Sequence, residues 1–215
     1  MNPQETPLLE KIIFDAIRQE SMRIRVMFPV RVEKYYSDTQ KVDVVPLLKK
    51  KYTDGTESLL PVISDVPIEW PVVNNGKSYI IMPLKAGDTG KVVFCDRSLD
   101  RWLAGDGSPT SPLDPRIHDL SDCVFWPGMR PFKKSIKVDD SNNLYVTNDQ
   151  MMIELFPDGK VRIKGGSKEL INILSSWMGH VISGKILTGT AVGVWLTSTS
   201  TQLQSDKSGL DSLKV

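Results

Sequence analysis

Two cysteines, Cys95 and Cys123, and two histidines, His118 and His180, are the only thiols and imidazoles in 215 residues. Without a CxxC spacing the cysteines build neither a disulfide framework nor a zinc or dithiol site, and both are expected as reduced core thiols. A charge excess is also lacking: 27 Lys+Arg face 26 Asp+Glu, for a net charge of +1. That balance excludes the strong basic field of a duplex-DNA clamp, though not a local basic patch. No run approaches the roughly 20 apolar residues that cross a bilayer. The first apolar stretch is interrupted by Glu10, Lys11, Asp15 and Arg18 and follows no basic segment, so no secretory signal is expected.

What is present begins with a helix. From Thr6 to Ser21 the residues Leu8, Leu9, Ile12, Ile13, Ala16 and Ile17 recur at spacings of three and four, with Thr6 as cap and Pro7 at the first helical position. So apolar a stripe must dock, either on its own domain's core or on a neighbouring subunit or partner. This N-terminal helix is assigned to residues 1–22.

After Arg25 the texture turns to short β-branched runs broken by Pro, Gly, Asp and Asn, the pattern of a small all-β unit over residues 23–132. Thr53-Asp54-Gly55-Thr56 and Asn74-Asn75-Gly76 read as turns. Strands are expected around Val42 and Val44, over Ser58–Ile63, over Ser78–Pro83 and over Gly90–Cys95. About five strands in such a length fit an OB-type barrel better than a two-sheet sandwich. Leu99, Trp102 and Leu103 mark a short helix within Asp96–Gly105. A Pro/Gly/Ser/Asp-rich loop, Asp106–Arg116, then leads into a buried strand around Val124.

Residues 133–166 carry strand candidates at Ser135–Val138, Asn143–Thr147, Gln150–Phe156 and Lys160–Lys164, the last two joined by a Pro157-Asp158-Gly159 turn. Met151, Ile153, Leu155, Val161 and Ile163 give this ladder an apolar face too small to stand alone, which predicts association with copies of itself or with another protein. Residues 167–215 read as helical, with Ser167 as cap and Leu170, Leu174, Trp177 and Val181 as a short seam of coiled-coil period. Gly184 breaks it, Lys185–Gly193 reads as an exposed connector, and Leu196, Leu203 and Leu210 recur every seventh residue beyond.

Catalytic and ligand-binding patterns are incomplete. His118-Asp119 has no nucleophile in an elbow motif to serve. Gly87-Asp88-Thr89-Gly90-Lys91 lacks phosphate-loop spacing and precedes a strand where a helix is needed, so it reads as a strand-entry turn. Asp96, Asp100 and Asp106 lie in no apolar run that would raise their pKa for acid catalysis. Lys49-Lys50-Lys51-Tyr52, at a hairpin tip, is the best case for single-strand nucleic-acid binding. No cofactor and no metal site is expected, and the chain is expected not to be an enzyme.

Several pieces in order carry a resemblance: VDVVPLL; ISDVPIEWP with Pro67; the turn formed by Pro83, Gly87 and Asp88; Asp100-Arg101-Trp102; and HDLSD, with Asp119 and Asp122, followed by Pro127-Gly128. Together the run from Val26 to Phe132, about half of the chain, resembles the N-terminal OB-fold domain of contractile-tail phage baseplate spike, or tail needle, proteins. The resemblance implies a mainly β homotrimer on the tail axis: an OB-fold collar under the tube and hub, then a short intertwined trimeric β-prism or β-helix. Met151, Ile153, Leu155, Val161, Ile163, Leu170, Leu174, Trp177 and Val181 would face the trimer axis. Leu8, Leu9, Ile12 and Ile13 would meet the hub or a neighbouring barrel. Such spikes act mechanically against the host envelope when the sheath contracts. The location implied is the virion's tail baseplate, assembled in the host cytoplasm.

The chain departs from that family in two ways. The passage from Arg130 to Val138 leaves no room for a lysozyme domain, and neither histidine sits in the iron-binding His-x-His apex of longer relatives. The C-terminal helical segment is therefore expected to be an adaptor to a separate spike tip protein. The competing readings are a monomeric OB-fold protein binding single-stranded nucleic acid through Lys49–Lys51 and a hydrolase centred on His118.

Overall fold

Valines that alternate with polar residues make strands with one buried face. The computed structural model describes residues 8–52, 54–183, 186–188, 191–193 and 197–212, and the chain divides into two compact units, Met1–Ser135 and Ile136–Val215. The first unit holds α1 (Leu8–Ser21), β1 (Met27–Tyr36), β2 (Lys41–Pro46), β3 (Lys49–Lys51), β4 (Glu57–Leu59), β5 (Ile63–Pro67), β6 (Val72–Val73), β7 (Ser78–Tyr79), β8 (Thr89–Phe94), α2 (Asp100–Leu103) and β9 (Cys123–Pro127). Five of these strands form one antiparallel sheet in the order β5-β2-β1-β8-β9. Its inner face is built from alternate residues: Val30 and Val32, Val42 and Val44, Ile63 and Val66, Val92 and Phe94, Cys123 and Phe125, all buried. Phe28 joins them with its ring 5.1 Å from that of Phe94.

A flat sheet could not enclose this core, and the curl has a local cause. The pairing of β1 with β2 slips between Val32 and Lys34, and that of β2 with β5 slips between Val42 and Val44. Both irregularities fall beside Asp43. Its carboxylate accepts the Tyr36 hydroxyl at 2.9 Å on one side and the Asp65 N–H at 3.0 Å on the other, with Asp65 in the left-handed region at φ 58. Paired bulges bend and twist a strand pair, so β5 swings round until Ile68 bridges Phe125 in parallel and the Glu69 N–H reaches the Phe125 carbonyl at 3.0 Å. The result is a curled half-barrel sheet.

The turns fall where the sequence places them. Asp54 accepts the Thr56 N–H and hydroxyl between β3 and β4, while Asn74 and Asn75 take positive φ between β6 and β7. The Gly87-Asp88 turn enters β8 as expected: Asp88 accepts the Lys85 N–H at 2.7 Å, and Gly87, at φ 96, donates to the Val32 carbonyl at 2.8 Å. Only a short part of Ser78–Pro83 is strand, since Ile80 to Pro83 lie outside β7. At Gly90 the sheet surface comes so close that a Cβ would lie 2.6 Å from the Phe125 Cζ and 2.5 Å from the Trp126 carbonyl oxygen.

The second unit carries β10 (Leu144–Asn148), β11 (Met151–Leu155), β12 (Val161–Gly165) and β13 (Lys168–Glu169) as one antiparallel meander. It continues through α3 (Leu170–Ser183), β14 (Ile186–Thr188), β15 (Ala191–Gly193) and α4 (Thr197–Ser212). Three local expectations need correction. Ser135–Val138 is not a strand; it follows a 3-10 turn, Phe132–Lys134, and pairs with nothing among the described residues. Ser167 does not cap α3. Glu169 does, its carboxylate accepting the N–H groups of Ile171 at 3.0 Å and Asn172 at 2.7 Å, as orphan donors at a helix start require. The connector Lys185–Gly193 contains the β14–β15 ladder. Thr6, Pro7, Gly184, Lys185 and Leu196 lie outside the described residues, as does the side chain of Leu8.

Candidate functional site

Register decides which residues of the meander share a face. Leu144 pairs with Leu155, Val146 with Ile153, Ile153 with Ile163, and Leu155 with Val161, so these six side chains and Met151 stand on one side of the sheet. That side is uncovered in the single chain: Ile153 is 38% exposed and Val146 60%. On the opposite side Glu154 is buried, with Tyr145, Met152 and Arg162 half-buried beside it. Glu154 is 2% exposed, accepting the Asn143 amide at 2.8 Å and the Arg162 guanidinium at 2.9 Å, while Arg162 lies over the Phe156 ring at 5.3 Å. Burial works against the charged form of Glu154, but hydrogen bonds from Asn143 and Tyr145 and the nearby Arg162 charge hold its carboxyl below its ordinary range. A carboxylate is thus buried within one chain while Leu144, Val146, Met151, Ile153 and Leu155 stay exposed on the other side of the same sheet.

The helical seam tells the same story. α3 turns Ile171 and Ser175 inward, the Ser175 hydroxyl donating to Asp211 of α4, and leaves Leu170, Leu174 and Trp177 exposed, Trp177 at 63%. Val181 is half-buried. In the first unit every described side chain of α1, including Leu9, Ile12 and Ile13, is exposed.

The motif residues of the first unit act as fasteners. Asp122, 1% exposed, accepts the Arg116 Nε at 2.5 Å, its Nη2 at 3.0 Å and the Leu99 N–H at 2.9 Å. The same guanidinium donates to Asp100 at 2.5 Å and Asp114 at 2.8 Å, so Arg116 ties the long loop and α2 to the start of β9. Asp119 closes a turn by accepting the Ser121 N–H and hydroxyl, and Gly128, at φ 102, donates to the Thr89 carbonyl. Pro127 pairs with Gly90, Pro67 ends β5, Pro83 precedes the Gly87 turn, Trp102 donates to the Gly107 carbonyl, and Arg101 is exposed. Arg116 and Glu154 had no local signal in the sequence, because their partners are set by folding. Leu144 and Val146 did have one, the alternation within the expected strand.

The Arg116 hydrogen bonds hold the Asp122 carboxyl below its ordinary range; burial opposes them, and the Leu99 N–H adds to them. A carboxylate depressed in this way stabilises the fold above its unfolded pKa, about 3.9, and that stabilisation is lost as pH falls through the lower folded value. Thermal unfolding should therefore drop steeply below about pH 4. Asp122→Asn should flatten that acid limb and cost about 3 kcal/mol at neutral pH by leaving Arg116 facing an amide. Unfolding midpoints from pH 2 to 7 would check both.

The competing chemistry is not assembled. Asp119 turns to Ser121 rather than to His118; among the described residues the His118 Nδ1 has no hydrogen-bond partner, and its Nε2 lies 3.7 Å from Asp96. Lys49 is paired with Glu57 at 3.0 Å and Lys50 lies over the Tyr52 ring at 4.9 Å, which leaves the lysine run partly engaged. Cys95 and Cys123 are free, and burial pushes the Cys123 thiol up to about 12, so it stays protonated at neutral pH. Among the described residues no three His, Cys, Asp or Glu side chains gather as a metal-ligand set, and no helix is long and apolar enough to cross a membrane.

These features define a mainly β protein of two units, one a curled antiparallel half-barrel and the other bearing an uncovered apolar sheet face. Residues 28–128, just under half of the chain, match the protein-family model described as phage protein Gp138 N-terminal domain. The matched span runs from the start of β1 to the glycine after β9 and so takes in the whole curled sheet. The match points to a phage-related protein. No curated protein matches the chain.

Proposed function

We propose that the chain is the homotrimeric central spike component of a contractile phage tail baseplate, linking tube and hub to a separate tip protein. It acts mechanically, without bond chemistry. The observation that carries this reading is the seven-residue apolar face of the meander, five of its side chains exposed and two half-buried in one chain, opposite the buried Glu154 carboxylate. Three such faces meeting on an axis would each be covered by the other two. Further support comes from the curled sheet β5-β2-β1-β8-β9 with its parallel Ile68–Phe125 bridge, which is compatible with an OB-type collar.

The test is the solution mass of the full chain by light scattering. The expected result is about 72 kDa, three times the 24.1 kDa chain. A folded particle at the single-chain mass would overturn the reading.

A further inference from the structure

The first unit carries two uncovered features of opposite shape. One is α1, which at 100° per residue places Leu9, Ile12, Ile13 and Ala16 on one face. Glu20 lies in line with that stripe in the last turn, and Glu10 and Asp15 flank it on either side, whereas Lys11 and Arg18 fall on the far side. The carboxylates therefore border the apolar face and the cations avoid it. Among the described residues nothing covers this face: every described side chain from Leu9 to Ile24 is exposed. A lone helix of 14 residues is marginal in water, so this one needs a seat.

The second feature is a groove of about 430 Å³ on the outer side of β1, walled by Pro29, Leu47, Met129 and Pro131. Arg31, Arg130 and Lys134 line it as well, and no carboxylate does. Among the described residues none of these three cations has an ion-pair partner. An apolar trough rimmed by unpaired cations complements an apolar helix face rimmed by carboxylates. Apolar walls give affinity, and the charges set orientation.

We propose that α1 of one copy seats its apolar stripe in the cationic groove beside β1 of a second copy. The occupant is another copy because no residue of α1 lines its own chain's groove and every described side chain of α1 is exposed. In addition, a contact between two different patches closes into a ring when repeated by rotation. Closure at three rests on the trimeric reading above; the helix-in-groove contact itself does not.

Two single variants of the full chain, Ile13→Cys and Leu47→Cys, differently tagged and co-expressed in a Cys95→Ser background, test this under mild oxidation. The expected result is a disulfide joining the two different variants, with little product from either alone. A second set changes only exposed charges: Arg31→Glu with Arg130→Glu should slow cross-linking about ten-fold, and Glu10→Lys with Asp15→Lys should restore it. In a third protein, the double variant Ile13→Cys with Leu47→Cys, a disulfide formed within the chain with none between chains would assign the groove to the chain's own helix and overturn the proposal. No cross-link in a folded particle of trimer mass would overturn it while the trimer stands. A cross-linked pair in a protein of dimer mass would uphold the contact and remove the trimer, and a folded monomer without cross-links would remove both.

Discussion

Ile153→Asp is expected to leave the chain folded and alone, at 24.1 kDa, where the proposed trimer predicts about three times that mass for the parent. The residue sits at the centre of the uncovered face, paired with Val146 on one side and Ile163 on the other. In the single chain it is partly in contact with water, so an aspartate there costs the fold little. In an assembled trimer the same carboxylate is enclosed by aliphatic side chains from other copies without a cation in reach. An unpaired buried charge costs roughly 3–5 kcal/mol, and rotational symmetry imposes it on every copy at once. Light scattering and circular dichroism together check it. Loss of the oligomer with retained β signal is the expected outcome, and an unchanged mass would mean that the meander face does not carry assembly. Ile153→Val, which keeps the apolar contact, should remain trimeric.

The second large effect falls on the first unit. Gly90→Ala places a methyl group against the Phe125 ring and the Trp126 carbonyl, at distances that real Cβ atoms do not adopt. Phe125 is fully buried in the centre of the core, and the carbonyl belongs to the β8–β9 ladder, so neither can retreat freely. Overpacking of this kind costs about 3 kcal/mol or more, enough to unfold a domain of ordinary stability at modest urea. The expected reading is a large fall in the urea midpoint. Phe125→Leu in the same chain should recover part of the loss, because the two sites touch and their effects cannot add. A midpoint unchanged by Gly90→Ala would contradict the close approach.

Both predictions bear on what was legible before the structure. The core was readable because Val42 and Val44, or Val92 and Phe94, alternate with polar residues, and a period of two has only one physical meaning. The turns at Asp54-Gly55, Asn74-Asn75-Gly76 and Pro157-Asp158-Gly159 were readable because they need particular backbone angles. The apolar face of β11 and β12 was visible for the same reason as the core. What could not be read depends on residues distant in sequence. Asp43 looks like any strand carboxylate until Tyr36 and Asp65 arrive on either side of it. Arg116 looks like a loop cation until Asp100 and Asp122 close on it. At α3, Ser167 had the right chemistry for a cap, but two residues of extra pairing, Lys164 with Glu169 and Gly165 with Lys168, carry the strand past it and hand the role to Glu169. Tertiary pairing moved the boundary, and with it the face the helix turns inward.

The Ile68–Phe125 bridge has a further consequence, for how copies can join. An open sheet can recruit a strand from any passing chain through its unpaired edge groups. Here the two outer strands of the curled sheet, β5 and β9, are drawn towards each other at that bridge, so neither offers a long free edge. Half-barrels of this kind must recognise one another through side chains, which discriminate, rather than through backbone, which does not. In the second unit the outer edge of β10 has no strand beside it among the described residues. The two main sheets thus differ in how another chain could meet them: the curled one through side chains, the meander also through the backbone groups of β10.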